Sequence, residues 1–261
     1  MREYYKTKLI SLYNGDCVGV MKNMIESNVK VDKVITSPPY NIIRPNSSDR
    51  GYDLYNDGIS NKEYIEWMIK IFELYNKLLN VNGAIMFNMS YGTENTELMS
   101  LTIAEIIKQT NFTLADIVVW KKKNATPNNV SSNKMTRIVE FIYIFCRKGE
   151  FYTFTSNKKT IKATRNSGQL IYENVFNYFE AKNNDFSQVL NKATFSYDMV
   201  FNLIERYVLK TDVVLDNFSG IGTTIKSCEM KNIKAIGIEL SKNQCDFTIK
   251  QFKNGVQKSL F

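Results

Sequence analysis

The stretch from Asp212 to Glu239 leaves the fewest ways to fold this 261-residue chain. Asp212-Val213-Val214-Leu215-Asp216 is a short apolar run bounded by acids and reads as a buried strand. Asn217-Phe218-Ser219-Gly220-Ile221-Gly222-Thr223-Thr224 is a glycine turn opening a helix to about Asn232, and residues 234–239 form a second strand ending on Glu239. Strand, turn, helix and strand in this order belong to a parallel or mixed sheet wrapped by helices. Glycines permit close approach of the backbone, a helix N-terminus offers free N–H groups, and an acid at the tip of the second strand suits ribose hydroxyls. A dinucleotide fingerprint would carry a third glycine where Ile225 stands, so a dinucleotide is disfavoured and a bare Rossmann-like turn is the competing reading.

The same alternation recurs upstream. Residues 8–13 have strand character, and Asn14-Gly15-Asp16 turns into a helical pattern through Val18, Val20, Met21, Met24 and Ile25. Val31 to Ile35 is a β-branched strand. Ser60 with Glu63 resembles a capping box ahead of a helix that carries Tyr64, Trp67, Met68, Ile71, Phe72 and Tyr75 and ends near Asn82-Gly83. Residues 84–87, 115–120 and 140–147 read as strands, 94–110 and 199–209 as helices. The expected fold is α/β: a Rossmann-like mixed, mostly parallel sheet with helices on both faces, plus a basic insert.

The strand at 31–35 delivers Thr36-Ser37-Pro38-Pro39-Tyr40, where two of the chain's four prolines stand side by side. They fix φ twice and remove two backbone donors, which ends strand pairing and can leave the Ser37 and Pro38 carbonyls facing a ligand. With Tyr40 beside them, these acceptors suit a planar ligand bearing an amino group, such as a nucleobase. A polyproline turn is the competing reading.

Composition narrows the chemistry. The chain has no His, which excludes Ser-His and Cys-His nucleophilic arrangements and leaves proton handling to carboxylates, Lys, Tyr or water. Cys17, Cys146, Cys228 and Cys245 lack C-x-x-C spacing and read as free thiols, with no metal site. No apolar run approaches the roughly 20 residues of a membrane span, so a soluble, cytoplasmic protein without a membrane partner is expected. A net charge of +8 points to a polyanion. Three polar segments carry candidate contacts to it: a Tyr-rich, lid-like stretch over residues 42–60 with Arg44 and Arg50; a loop following residue 120 with Lys121, Lys122, Lys123, Lys134 and Arg137; and a stretch near 153–192 with Lys158, Lys159, Lys162 and Arg165.

Taken together, Thr36-Ser37-Pro38-Pro39-Tyr40 and the turn from Asp216 to Thr224 resemble the catalytic (D/N/S)-P-P-(Y/F) motif and the S-adenosylmethionine motif of the DNA amino-methyltransferases. Their order, with a basic insert between them, is similar to the β-type permutation of that family. The resemblance implies an S-adenosylmethionine-dependent methyltransferase fold: residues 1–150 as the catalytic part, 151–192 as a target-recognition insert and 193–261 as the cofactor-binding part of the same domain. It implies catalysis by Ser37, Pro38, Pro39 and Tyr40, and cofactor contacts from Asp216, Phe218, Ser219, Gly220, Gly222, Thr223 and Thr224. By the same resemblance Glu239 holds the ribose, and Asp16 lies near the adenine or the active site. Where the family often has a His-Pro pair, this chain reads Asn191 to Ser196, so Thr194 and Ser196 are the candidates for the methionine carboxylate. Double-stranded DNA is the implied partner, with a homodimer and a cognate restriction endonuclease as further candidates.

The implied reaction needs little acid-base help. Hydrogen bonds from an exocyclic amino group to Ser37 and the Pro38 carbonyl would favour a tetrahedral nitrogen aimed at the methyl donor, in a base flipped from the duplex and stacked on Tyr40. Cytosine N4 and adenine N6 both remain open, whereas carbon-5 methylation is disfavoured because Tyr40, not Cys, follows the prolines. An RNA or protein-amide methyltransferase and a non-catalytic nucleic-acid-binding module are the alternatives.

Overall fold

The computed structural model describes residues 3–41, 58–91, 95–125, 127–129, 132–156, 161–183 and 196–253. Along the described chain the elements are β1 (Tyr5–Lys6), β2 (Ile10–Asn14), α1 (Cys17–Glu26), β3 (Val31–Thr36), α2 (Asn61–Leu78), β4 (Leu79–Met89), α3 (Leu98–Gln109) and β5 (Phe112–Lys122). They continue as β6 (Val139–Arg147), β7 (Ile161–Thr164), β8 (Leu170–Tyr172), β9 (Tyr178–Ala181), α4 (Tyr197–Tyr207), β10 (Val213–Asp216), α5 (Thr223–Met230), β11 (Lys234–Glu239) and α6 (Lys242–Lys253). Nine strands make one sheet in the order β1-β2-β11-β10-β3-β4-β6-β5-β9, and β7 with β8 forms a separate hairpin. From β2 to β4 the neighbours are all parallel. β6 runs antiparallel to β4 and β5, and β9 joins the far edge parallel to β5. The expected mixed, mostly parallel sheet is thus present.

Successive strand side chains feed opposite faces, as a sheet covered on both sides requires. Val34, Ile85, Phe87 and Leu215 pack with α1, α2 and α3, whereas Ile35, Ala84, Met86 and Val214 pack with α4, α5 and α6. On the first face Phe72 of α2 meets the rings of Tyr75, Phe87, Phe112 and Phe145 edge to face at 5.0–5.6 Å. Phe72→Ala should therefore destabilise the fold by about 3–5 kcal/mol, read as a fall in the urea midpoint at unchanged slope.

Helix α2 begins as its sequence predicts. Ser60 accepts from the Glu63 N–H, and the Glu63 carboxylate accepts in return from Ser60, a capping box typically worth about 1 kcal/mol. Sequence periodicity did not reveal β9 or α6. The first is four residues long and the second has a mostly polar pattern. Among the described residues no helix is long and apolar enough to cross a membrane.

Candidate active site

β10 leads through α5 to β11 on one side, and β3 leads through α2 to β4 on the other. The winding direction therefore reverses between the neighbours β10 and β3, and a crevice opens at the carboxyl ends of strands at such a point. Both sequence motifs emerge there. The join between them is a buried hydrogen bond in which Thr36 Oγ1 donates to Asp216 Oδ1 at 2.7 Å.

The loop after β3 is held from below and beside. Pro38 and Pro39 are buried, and the Tyr64 hydroxyl of α2 donates to the Pro39 carbonyl at 2.8 Å. Ser37 and Tyr40 stay partly exposed at the crevice. Ser37 Oγ donates to the Tyr40 hydroxyl oxygen at 3.0 Å, and that hydroxyl faces Asn88 Oδ1 at 2.8 Å and Glu140 Oε2 at 3.3 Å. Asn41, in the left-handed region at φ 52°, donates to the Ile59 carbonyl and accepts from Gly58 N–H. Its amide ties together the two ends of the segment 42–57. That segment, most of the lid-like stretch with Arg44 and Arg50, lies outside the described residues.

Across the crevice the glycine turn is built on two left-handed residues, Gly220 at φ 53° and Gly222 at φ 81°. A Cβ on Gly222 would sit 2.4 Å from Thr248 Cγ2 of α6, so this glycine answers to helix packing inside the protein as well as to a ligand outside it. Helix α2 buttresses the turn as it does the proline loop. Trp67 meets Phe218 edge to face at 5.5 Å, and the Tyr75 hydroxyl donates to Asn217 Oδ1. Glu239 accepts from Gly220 N–H at 2.7 Å and from Ser241 N–H at 2.8 Å. A carboxylate has about four lone-pair sites, so the two bonds orient it at the tip of β11. Asp16 caps α1 through Gly19 N–H and is exposed, and its neighbour Gly15 donates to the Glu239 carbonyl.

Exposure sorts the expected cofactor contacts. Asp16 is exposed after β2, and Phe218, Gly220 and Glu239 are partly exposed at the ends of β10 and β11. The side chains of Asp216, Ser219, Thr223 and Thr224 are buried and act by shaping the turn. Ser196 is a correction. It is fully buried, caps α4 by accepting from Met199 N–H, and donates to the Lys182 carbonyl at 2.8 Å, so its hydroxyl is committed to the helix start rather than to a carboxylate ligand. Thr194 lies outside the described residues.

The donor set fits S-adenosylmethionine. Two carboxylates, Asp16 and Glu239, stand on neighbouring strand tips for its hydroxyls and positive charge, beside an aromatic ring and a close backbone turn. Among the described residues, the buried polar atoms Asn217 Nδ2, Ser219 Oγ, Thr223 Oγ1 and Gln244 Oε1 lack hydrogen-bond partners and gather at this turn. Burial holds the thiols protonated, Cys17 and Cys245 each being pushed up to about 12, so neither is a nucleophile.

Asp216 is 3% exposed. Burial raises its carboxyl from 3.8 to about 6, against the Thr224 and Thr36 hydroxyls and the Phe218 N–H, which lower it. Between those two values the folded chain holds a proton that the unfolded chain has released. Stability therefore falls as pH climbs through the window, and the ionised group costs up to about 3 kcal/mol above it. Asp216→Asn keeps an oxygen for Thr36 and Phe218. It should stabilise the protein at pH 8 by ~1–3 kcal/mol, and the gain should vanish towards pH 4 in urea titrations.

The basic residues separate into groups. Lys122, expected at a phosphate, instead forms a largely sheltered ion pair with Glu140 at 2.5 Å, because strand alternation turns it inward while Lys121 turns to Glu180 at 2.9 Å. Lys123 and Lys134 are exposed in the loop between β5 and β6. Arg137 lies over the Tyr91 ring at 4.8 Å, beyond the end of β4. Lys162 and Arg165 sit on the exposed β7–β8 hairpin, in the separate sheet. Lys158 and Lys159 lie outside the described residues. Sequence reasoning missed Asn88 and Glu140, polar residues buried to 1% and 8% exposure on strands facing the proline loop. Their only sequence signal is a polar residue at an inward position of an apolar strand.

Residues 31–251 match the model of a family described as DNA methylase. The type II methyltransferase M.BglII of Bacillus subtilis is 27% identical over 264 residues, covering 92% of this chain and 68% of its own length. Among solved structures, the cytosine-N4-specific PvuII DNA methyltransferase superposes with a TM-score of 0.74 at 18% identity, over 95% of this chain and 88% of that one. A complex of M1.HpyAVI with S-adenosylmethionine gives a TM-score of 0.63 at 22% identity, over 93% of this chain and 98% of that one.

Proposed function

We propose, from the premise that this chain belongs to the DNA methylase family, that it transfers a methyl group from S-adenosylmethionine to an exocyclic amino nitrogen, cytosine N4 or adenine N6, of a base in duplex DNA. One observation carries the reading: Ser37-Pro38-Pro39-Tyr40 and the glycine turn lie at the tips of adjacent parallel strands, joined by the Thr36–Asp216 bond. When bound, the cofactor supplies an electrophilic methyl group carried on a positively charged sulfur. Asp16, Phe218, the Gly220 backbone and Glu239 are the groups to hold it, with Asp216, Ser219, Gly222, Thr223 and Thr224 fixing the turn.

On the other wall, Ser37 accepts a hydrogen from the amino group of the base. That contact withdraws the nitrogen lone pair from conjugation and directs it across the crevice. Tyr40 gives the flipped base a flat surface, offsetting an unstacking cost of a few kcal/mol. Pro38 and Pro39 keep both groups in place without a backbone donor to compete for the amino group. The surplus amino proton leaves to water, so no step requires a histidine or a thiolate. Lys121 at the end of β5 and Lys123, Lys134 and Arg137 in the loop to β6, the strand that carries Glu140, would supply phosphate contacts together with residues 151–192 as the target-recognition insert. Relatives named type II methyltransferases support a companion restriction endonuclease, and a relative named an orphan methyltransferase supports a solitary enzyme.

Radiolabelled S-adenosylmethionine offered with duplex DNA, RNA or a glutamine-bearing protein separates the alternatives. Label in duplex DNA is expected. Label confined to RNA or protein, or DNA binding without transfer, would overturn the proposal.

A further inference from the structure

The phenol of Tyr40 stands at the centre of a chain of hydrogen bonds whose direction is set from its buried end. Asn88 Nδ2 donates to the Phe141 carbonyl at 3.2 Å, which leaves Oδ1 as the atom turned towards Tyr40. The Glu140 carboxylate offers only acceptor oxygens, Oε1 lying 2.5 Å from Lys122 Nζ and Oε2 facing the Tyr40 hydroxyl at 3.3 Å. Two acceptors thus face one phenolic hydrogen, the hydrogen is drawn inward, and the Tyr40 oxygen presents lone pairs to Ser37. Ser37 then donates its own hydrogen to Tyr40 at 3.0 Å and turns oxygen lone pairs to the crevice.

We propose that Glu140, held by Lys122, is a positioning residue that fixes the direction of this chain, so that Ser37 meets the amino group of the base as a hydrogen-bond acceptor. The inference rests on the reading of Ser37 given above. A serine hydroxyl has no intrinsic polarity, since it rotates to donate or accept as its surroundings dictate. Were Ser37 to donate into the crevice, it would point a hydrogen at the hydrogens of an amino group. An aspartate at that position would accept without help, so a serine makes the buried acceptors necessary. Glu140 touches neither base nor cofactor in this scheme and acts through Tyr40 and Ser37.

Glu140→Gln is the direct test, because Lys122 would claim the amide oxygen and turn the amide N–H₂ donor towards Tyr40. That donor competes with Ser37 for the phenol oxygen and frees Ser37 to reverse. The expected result is a fall in kcat on the order of tenfold to a hundredfold with KM for cofactor and for DNA unchanged. In Ser37→Ala, Glu140→Gln should cause no further loss, because the hydroxyl it orients is gone. Tyr40→Phe, which keeps the ring and deletes the relay, should reproduce the kcat loss and likewise be non-additive with Glu140→Gln. It also serves as the reporter if Glu140→Gln fails to bind cofactor. Wild-type kcat in Glu140→Gln or in Tyr40→Phe, or losses that multiply with Ser37→Ala, would overturn the inference while leaving the methyltransferase reading intact. Absence of transfer by the unaltered protein to any amino base would overturn that reading instead.

Discussion

Gly222→Ala is expected to cost the fold about 2–4 kcal/mol and to remove measurable binding of S-adenosylmethionine, the sum of a left-handed backbone that L side chains resist and an overpacked contact. Gly222 stands at φ 81°, and its added Cβ would lie 2.4 Å from Thr248 Cγ2 and 2.9 Å from Thr248 Oγ1. Thr248 cannot yield cheaply, because its hydroxyl donates to the Gln244 carbonyl within α6. Either the helix shifts outward or the turn unwinds, and the turn is where the cofactor would rest. Adding Thr248→Ala deletes both clashing atoms and leaves only the Cβ at 3.2 Å, so the double variant should recover part of the stability but retain the backbone strain. Urea unfolding and calorimetric titration with the cofactor measure the two losses separately. Unchanged affinity in Gly222→Ala would mean that the turn is not the cofactor site.

Tyr40→Ala should do the opposite. Turnover on duplex DNA should fall by at least ~10²-fold, whereas cofactor affinity should stay within about twofold, since the phenol's hydrogen bonds run to Ser37, Asn88 and Glu140 and not to the glycine turn. The ring is expected to be worth ~1–3 kcal/mol of base stacking, with the rest of the loss coming from Ser37 set free to rotate and from Asn88 and Glu140 left facing a void. Stopped single-turnover kinetics with saturating cofactor, alongside the same calorimetric titration, test this division between the two walls. A parallel loss of cofactor binding would contradict it.

Much of this arrangement can be read from the chain because its defining segments are local. The strand at Lys234–Glu239 and the start of α5 at Thr223 fall where apolar runs and glycines put them, and the Ser60–Glu63 box marks the start of α2. The prolines at 38 and 39 do end a strand and place Ser37 and Tyr40 at its tip. What the chain conceals is non-local. Glu140 lies 100 residues from Tyr40 and Asn88 lies 48 residues away, and only the β4–β6 pairing brings them to the same phenol. Lys121, Lys122 and Lys123 look like one basic run, yet pleating sends Lys122 to a buried carboxylate and Lys121 to Glu180. Burial was equally hidden. Ser219, Thr223 and Thr224 share a motif with Gly220, but their side chains lie under the turn rather than in the crevice.

Tyr64, Trp67 and Tyr75 show a further limit of periodicity. Their helical spacing identifies a face to be buried without disclosing that the face braces two loops at once, through the Pro39 carbonyl, the Phe218 ring and the Asn217 amide. The consequence is a pair of loops held against one helix and one interstrand bond.

The central claim is that an amino nitrogen held at Ser37 receives a methyl group presented from the glycine turn. Its most direct test is nucleoside mass spectrometry of mixed-sequence duplex DNA after incubation with the protein and isotopically labelled S-adenosylmethionine. The account predicts label in N4-methylcytosine or in N6-methyladenine. Label in 5-methylcytosine, or bound cofactor with no labelled nucleoside, would contradict it.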